Sequence, residues 1–141
     1  MTSIHGKCFC GSVTYVATSE PTSFQHCHCR QCQHIHGASV ISWVGFPTTS
    51  ITFNDSHHTL TTFNSGRANR MFCNKCGTHL AFHYSQPDQA LQQEEFTYVA
   101  APSLVTSVKL GISINKPEFQ SRYHIYTESQ PSWTKDFVKP F

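Results

Sequence analysis

FCNKCGTHL, residues 72–80, places Cys73 and Cys76 around a tight turn and then resumes as strand-like sequence. A pair spaced in this way offers two sulfurs to one ion, and Gly77 behind it permits the turn that aims backbone amides at those sulfurs. Zinc takes four ligands in a tetrahedron, so this pair calls for a second one. Cys8 and Cys10, in GKCFCGS and likewise followed by a glycine, Gly11, supply it. Two turns far apart in sequence are therefore expected to meet at one closed zinc site. Such a site has no open position and is structural, and its binding energy, on the order of 10 kcal/mol, is folding energy.

Around the cysteines, apolar residues recur at every second position more often than at the helical period, which marks strands. Ser12 to Thr18 puts Val13, Tyr15 and Ala17 on one face, and Val40 to Val44 is an apolar run carrying Trp43. Ile51 to Phe53, Thr59 to Phe63, Leu80 to Tyr84, Phe96 to Ala100 and His124 to Thr127 read in the same way. Gly45 to Pro47, Asn54 to Ser56, Asn64 to Gly66, and Pro87 with Asp88 read as turns. Helix is expected only for a turn or two after Cys29 and over Asp88 to Glu95, where good helix formers gather without an apolar stripe. The expected fold is mainly β, with short, numerous strands and few short helices. No internal repeat, low-complexity tract or composition shift divides the chain, so residues 1–141 are expected to form a single domain.

The remaining cysteines, Cys27, Cys29 and Cys32 in CHCRQC, make a second group that is one protein ligand short of a tetrahedron. Three protein ligands and a vacancy is how catalytic zinc is usually held. A histidine would instead close the site: His26, His28, His34 and His36 are close in sequence, and His79, His83 and His124 can arrive through the fold. Spacing alone leaves both arrangements open.

The N-terminal MTSIHGKCFCGS has no apolar stretch of the signal-peptide kind, and no segment approaches the roughly 18 to 20 apolar residues of a membrane span. The expectation is a soluble, cytoplasmic protein in which seven cysteines, an odd number, serve metal rather than disulfides. Charged residues make up only 13%, the formal net charge is +2, and the ten Lys and Arg are scattered. That distribution argues against a nucleic-acid or anionic-membrane partner.

The order GKCFCGSVTY, CHCRQCQHIHG, FCNKCGTHL and HIYTESQPSW resembles the glutathione-dependent formaldehyde-activating enzyme family, which also includes the centromere protein V group. The resemblance spans roughly Gly6 to Trp133. It implies a β-tent fold of several coiled sheets of short antiparallel strands with two zinc ions per chain. The structural zinc would take Cys8, Cys10, Cys73 and Cys76, and the catalytic zinc Cys27, Cys29 and Cys32. Family members commonly carry a glycine in the turn where this chain has Asn54 and Asp55, and often an acidic residue near LGISINKPEF.

Three thiolates leave a zinc site with one net negative charge, a weaker Lewis acid than a three-histidine zinc and better suited to a substrate thiol than to hydrolysis. The family implies glutathione as that thiol and a carbon–sulfur lyase reaction that forms or cleaves S-hydroxymethylglutathione. A non-catalytic carrier of the adduct, or a zinc-stabilised protein-binding module, is the alternative. Arg30, Arg67, Arg70 and Arg122 are the candidate carboxylate anchors, each expected to be a solvated surface residue. His28 is expected to make a supporting contact, His124 to be satisfied by a strand neighbour, and Trp133 to fill an edge of the core.

Overall fold

Ten strands in two sheets carry the chain in a computed structural model, which describes residues 3–85, 95–105 and 124–134. The strands are β1 (Ile4–Lys7), β2 (Thr14–Ala17), β3 (Ser23–Cys27), β4 (Ile41–Pro47), β5 (Ile51–Asn54), β6 (Leu60–Asn64), β7 (Ala68–Cys73), β8 (His79–Tyr84), β9 (Phe96–Ala100) and β10 (His124–Ile125). One sheet has the order β1-β2-β5, the other β10-β3-β4-β9-β8-β7-β6. Neighbours pair antiparallel except β10, which lies parallel to β3. The mainly β expectation holds.

Side chains of β4 alternate between two cores, as the period of a strand requires. Val44 and Phe46 join Val13, Tyr15, Ala17, Leu80 and Val99 in one of them, which packs strands of both sheets together. Ile41 and Trp43 join Cys27, Cys32, Ala68, Phe82 and Ala100 in the other. The second core is therefore built around one of the cysteine groups.

Two readings of the sequence are corrected. Gly45 to Pro47 is not a turn, because β4 runs through it with Gly45 opposite Ser23 on one side and Tyr98 on the other. A Cβ on Gly45 would come within 2.3 Å of Ser23 Oγ and 3.1 Å of the Tyr98 ring, so the glycine serves close packing. Pro47 closes the strand, where its missing N–H costs little. Trp133 does not fill a core edge, since it is 67% exposed.

The expected helix after Cys29 is α1 (Arg30–His36). Cys29 is its N-cap, accepting from the Cys32 N–H, and Gly37 ends it in a left-handed conformation. The Asn54–Asp55 turn compensates for its lack of glycine with side-chain acceptors: Asp55 Oδ1 takes the N–H groups of Thr59 and Leu60 at 2.8 and 2.9 Å. The expected helix at residues 88–95 and the LGISINKPEF segment lie almost wholly or wholly outside the described residues, as does Arg122. No described helix is long and apolar enough to cross a membrane.

Candidate metal centres

Two hairpin turns create the first group. Cys8 follows β1 and Cys10 lies in the turn to β2, while Cys73 ends β7 and Cys76 lies in the turn to β8. A Phe9 N–H bond to Thr78 Oγ1 at 3.0 Å ties the turns together. The four sulfurs lie within 4.8 Å of one another, Cys10 being 3.6 Å from Cys8 and 3.8 Å from Cys73. A tetrahedron with Zn–S bonds of about 2.3 Å has S–S edges of about 3.8 Å, so this donor set fits zinc.

Gly11 and Gly77 both take φ +78, a conformation that a Cβ would strain, and each turn directs N–H groups at sulfur. Val13 N–H donates to Cys8 at 3.4 Å, those of Lys75 and Cys76 to Cys73, and those of Cys10 and Thr78 to Cys76. Ser12 Oγ lies 3.1 Å from Cys10 and 3.3 Å from Cys73. Burial works against ionisation of Cys73, but the Ser12 hydroxyl and the backbone donors outweigh it and bring the thiol down to about 5. Cys76 falls to about 7 by the same balance, with Thr78 as the main donor.

The second group is assembled by one short segment. Cys27 ends β3, Cys29 caps α1 and Cys32 lies in its first turn, with the three sulfurs within 4.8 Å of one another and Cys27 3.7 Å from Cys32. That spacing again matches the edge of a zinc–sulfur tetrahedron. The Cys32 thiol is lowered to about 5, first by the Cys27 thiol donating to it and further by Cys29 and the Arg70 guanidinium, against the opposing effect of burial. Cys27 is raised correspondingly, chiefly because it keeps the shared proton.

The three sulfurs line a cavity of about 230 Å³ whose apolar wall includes Trp43 and Phe82, with Arg67, Tyr84 and Tyr126 also bordering it. Among the described residues no fourth Cys, His, Asp or Glu joins them. Most of the histidines that spacing allowed are engaged elsewhere. His26 Nδ1 bonds Ser42 Oγ at 2.8 Å, and His28 Nε2 bonds His124 Nδ1 at 2.8 Å. The rings of His36 and His79 pack together, His83 Nε2 meets the Asn69 amide, and His34 is exposed.

His28 is fully buried; its backbone N–H donates to Ile125 O at 3.0 Å and its ring bonds His124 rather than a cysteine, so it holds β10 against the cysteine loop. His124 is only half satisfied: its Nδ1 meets His28, just past the neighbouring strand, while its Nε2 and His28 Nδ1 are buried with no hydrogen-bond partner among the described residues. Gln33, which sequence reading passed over, gathers three carbonyls with its amide, those of His28, Ser39 and Ser129.

The arginines divide. Arg30 bonds Gln33 on its own helix at 2.8 Å, and Arg67 is exposed as expected, though at the cavity. Arg70 contradicts the surface expectation: it is 5% exposed, with Nη1 and Nη2 3.9 and 3.8 Å from Cys32 Sγ. The period-two pattern Ala68, Arg70 on β7 carried that signal, but an arginine at an inward position reads as surface.

A family model for the glutathione-dependent formaldehyde-activating enzyme matches residues 3–129. Among solved structures, a Rhodobacter sphaeroides protein of known crystal structure aligns with a TM-score of 0.55 at 18% identity, covering 72% of this chain and 87% of that one. That likeness is one of fold. No curated protein matches the chain.

Proposed function

The chain belongs to the glutathione-dependent formaldehyde-activating enzyme family, and on that premise we propose that it is a zinc-dependent carbon–sulfur lyase. Its substrate is the adduct of glutathione, or a related small thiol, with formaldehyde or another aldehyde. In the forming direction the thiol sulfur bonds the aldehyde carbon, the carbonyl electron pair passes to oxygen, and the thiol proton ends on that oxygen. Cleavage reverses these steps. The reading takes residues 1–141 as one cytoplasmic domain with Cys8, Cys10, Cys73 and Cys76 on a structural zinc and Cys27, Cys29 and Cys32 on a catalytic one.

The observation that carries it is the three-sulfur wall of a cavity with no fourth protein donor among the described residues. Zinc held there supplies a soft position that keeps a substrate thiol, with an ordinary pKa of about 8.5, in its ionised form. Trp43 and Phe82 present apolar rings that limit water around the reacting sulfur. The Tyr84 phenol is pushed up to about 12 by burial and then by Tyr126 and Tyr98. It stays protonated and can donate a hydrogen bond to the aldehyde oxygen as charge develops there. Arg67 is the exposed cation available to a glutathione carboxylate.

The test is magnetisation-exchange NMR on glutathione with formaldehyde, comparing zinc-loaded wild type with Cys29→Ser. The expected result is faster interconversion that disappears in the variant. Equal rates with and without wild-type protein would remove the lyase reading and leave the carrier or binding-module alternative.

A further inference from the structure

Arg70 sits in the wall of the three-cysteine cavity while only 5% exposed, and a cation so placed calls for a negative partner. Among the described residues that partner is not a carboxylate. Its Nε–H donates to Ser65 Oγ at 3.0 Å, Nη2 donates to Gln31 Oε1 at 2.9 Å, and both Nη groups reach Cys32 Sγ. The guanidinium carbon lies 5.4 Å from the centroid of the Phe82 ring. Ser65 and Gln31 are neutral and fix the orientation of the fork, and Gln31 also bonds Ser65 O at 3.0 Å, tying α1 to the β6–β7 turn. The sulfur group is the source of negative charge.

We propose that Arg70 is the counter-charge of the three-cysteine site and makes its open position select an anionic sulfur ligand over a neutral one. The inference rests on the proposed function and extends it to ligand choice. Three thiolates and a divalent ion carry one net negative charge, which Arg70 cancels. An incoming thiolate then adds to a neutral site; without Arg70 it would add to one already negative, inside a cavity partly walled by aromatic rings. Arg70 acts through Cys32 and the charge of the cavity, as a positioning residue.

The experiment uses the full chain loaded with cobalt(II) in place of zinc, with metal content and melting recorded. Wild type, Arg70→Met, Arg70→Gln and Arg70→Lys are titrated at one pH with 2-mercaptoethanol, charged on binding only at sulfur, and separately with neutral imidazole. The visible cobalt bands report binding. The neutral variants are expected to weaken the thiol relative to imidazole by at least about tenfold, while Arg70→Lys stays within about threefold of the wild-type ratio.

An unchanged ratio in the neutral variants overturns the role of Arg70 and leaves the lyase reading standing. Wild-type protein that binds imidazole but neither 2-mercaptoethanol nor glutathione overturns the lyase reading and this inference together. Should neither neutral variant hold cobalt while Arg70→Lys does, the counter-charge is supported at the metal itself. Should Arg70→Lys fail as well, the shape of the guanidinium rather than its charge is what the site needs, and the proposal falls.

Discussion

At the four-cysteine group the sulfurs face N–H groups and hydroxyls, some from their own hairpin turn and some from the facing one, whereas at the three-cysteine group Cys32 faces a guanidinium that arrives from β7. The first arrangement is complete within the chain: it would supply all four corners of a zinc tetrahedron, and partial charges on nearby dipoles would offset the thiolates. The second has three corners, a whole positive charge beside it and a cavity in front. Sulfur is common to both. What distinguishes a scaffold from a candidate reactive site here is the number of protein ligands and the way their charge is balanced.

The largest effect that could break this contrast comes from the four-cysteine group. Cys73→Ser is expected to cost most of the fold, since binding energies for such sites are on the order of 10 kcal/mol. The expected outcome is aggregation or loss of the cooperative melt, and a soluble variant with unchanged melting would mean the group is not structural. Next is stepwise chelation followed by circular dichroism. One zinc should leave with the strand signal retained and the second only with its loss; simultaneous release would deny that the sites are separable.

Cys29→Ser sharpens the comparison from the other side. Serine is a good N-cap, so the bond from the Cys32 N–H survives and α1 is kept while one thiolate is removed. One zinc is expected to be lost with little change in melting. Gln33→Leu should cost about 1 to 3 kcal/mol, because three carbonyls lose the amide that gathers them. A denaturant melt gives that figure, and an unchanged midpoint would show that water replaces the amide freely.

The smallest effect lies where the segments bearing the two groups touch. His36, on α1, packs its ring 5.1 Å from that of His79, three residues beyond Cys76. Burial, then His79 and Arg70, hold His36 down at about 4 from its ordinary 6.5. A base lowered in the folded state binds protons preferentially when unfolded, so its contribution falls as pH drops from about 6.5 to about 4 and is level above that. His36→Gln should flatten that part of the stability curve, and an unaltered slope would show that other groups set it.

The cysteine partition was legible because each pair or triplet is local, so spacing alone constrains which sulfurs reach one ion. Strands β2, β5, β6, β8, β9 and β10 were legible as short strand-like runs, and β4 as an apolar run carrying Trp43. The strands β1, β3 and β7 were not: IHGK has one apolar side chain, SFQHC is half polar, and the inward face of ANRMFC carries Arg70. Gly45 was read by its residue type rather than by its neighbours across the sheet. Whether the second group was open or closed could not be read from spacing, because ten histidines were available and their partners, Ser42, Asn69 and one another, come from distant segments.

Cadmium-113 NMR of the protein loaded with two cadmium ions, recorded before and after addition of glutathione, tests the contrast most directly. Two sulfur-rich signals are expected, of which only the one missing in Cys29→Ser moves toward fuller sulfur coordination when the thiol is added. Two signals that both ignore the thiol would mean that the three-cysteine site is closed by another ligand, and the account of an open, charge-balanced position would be wrong.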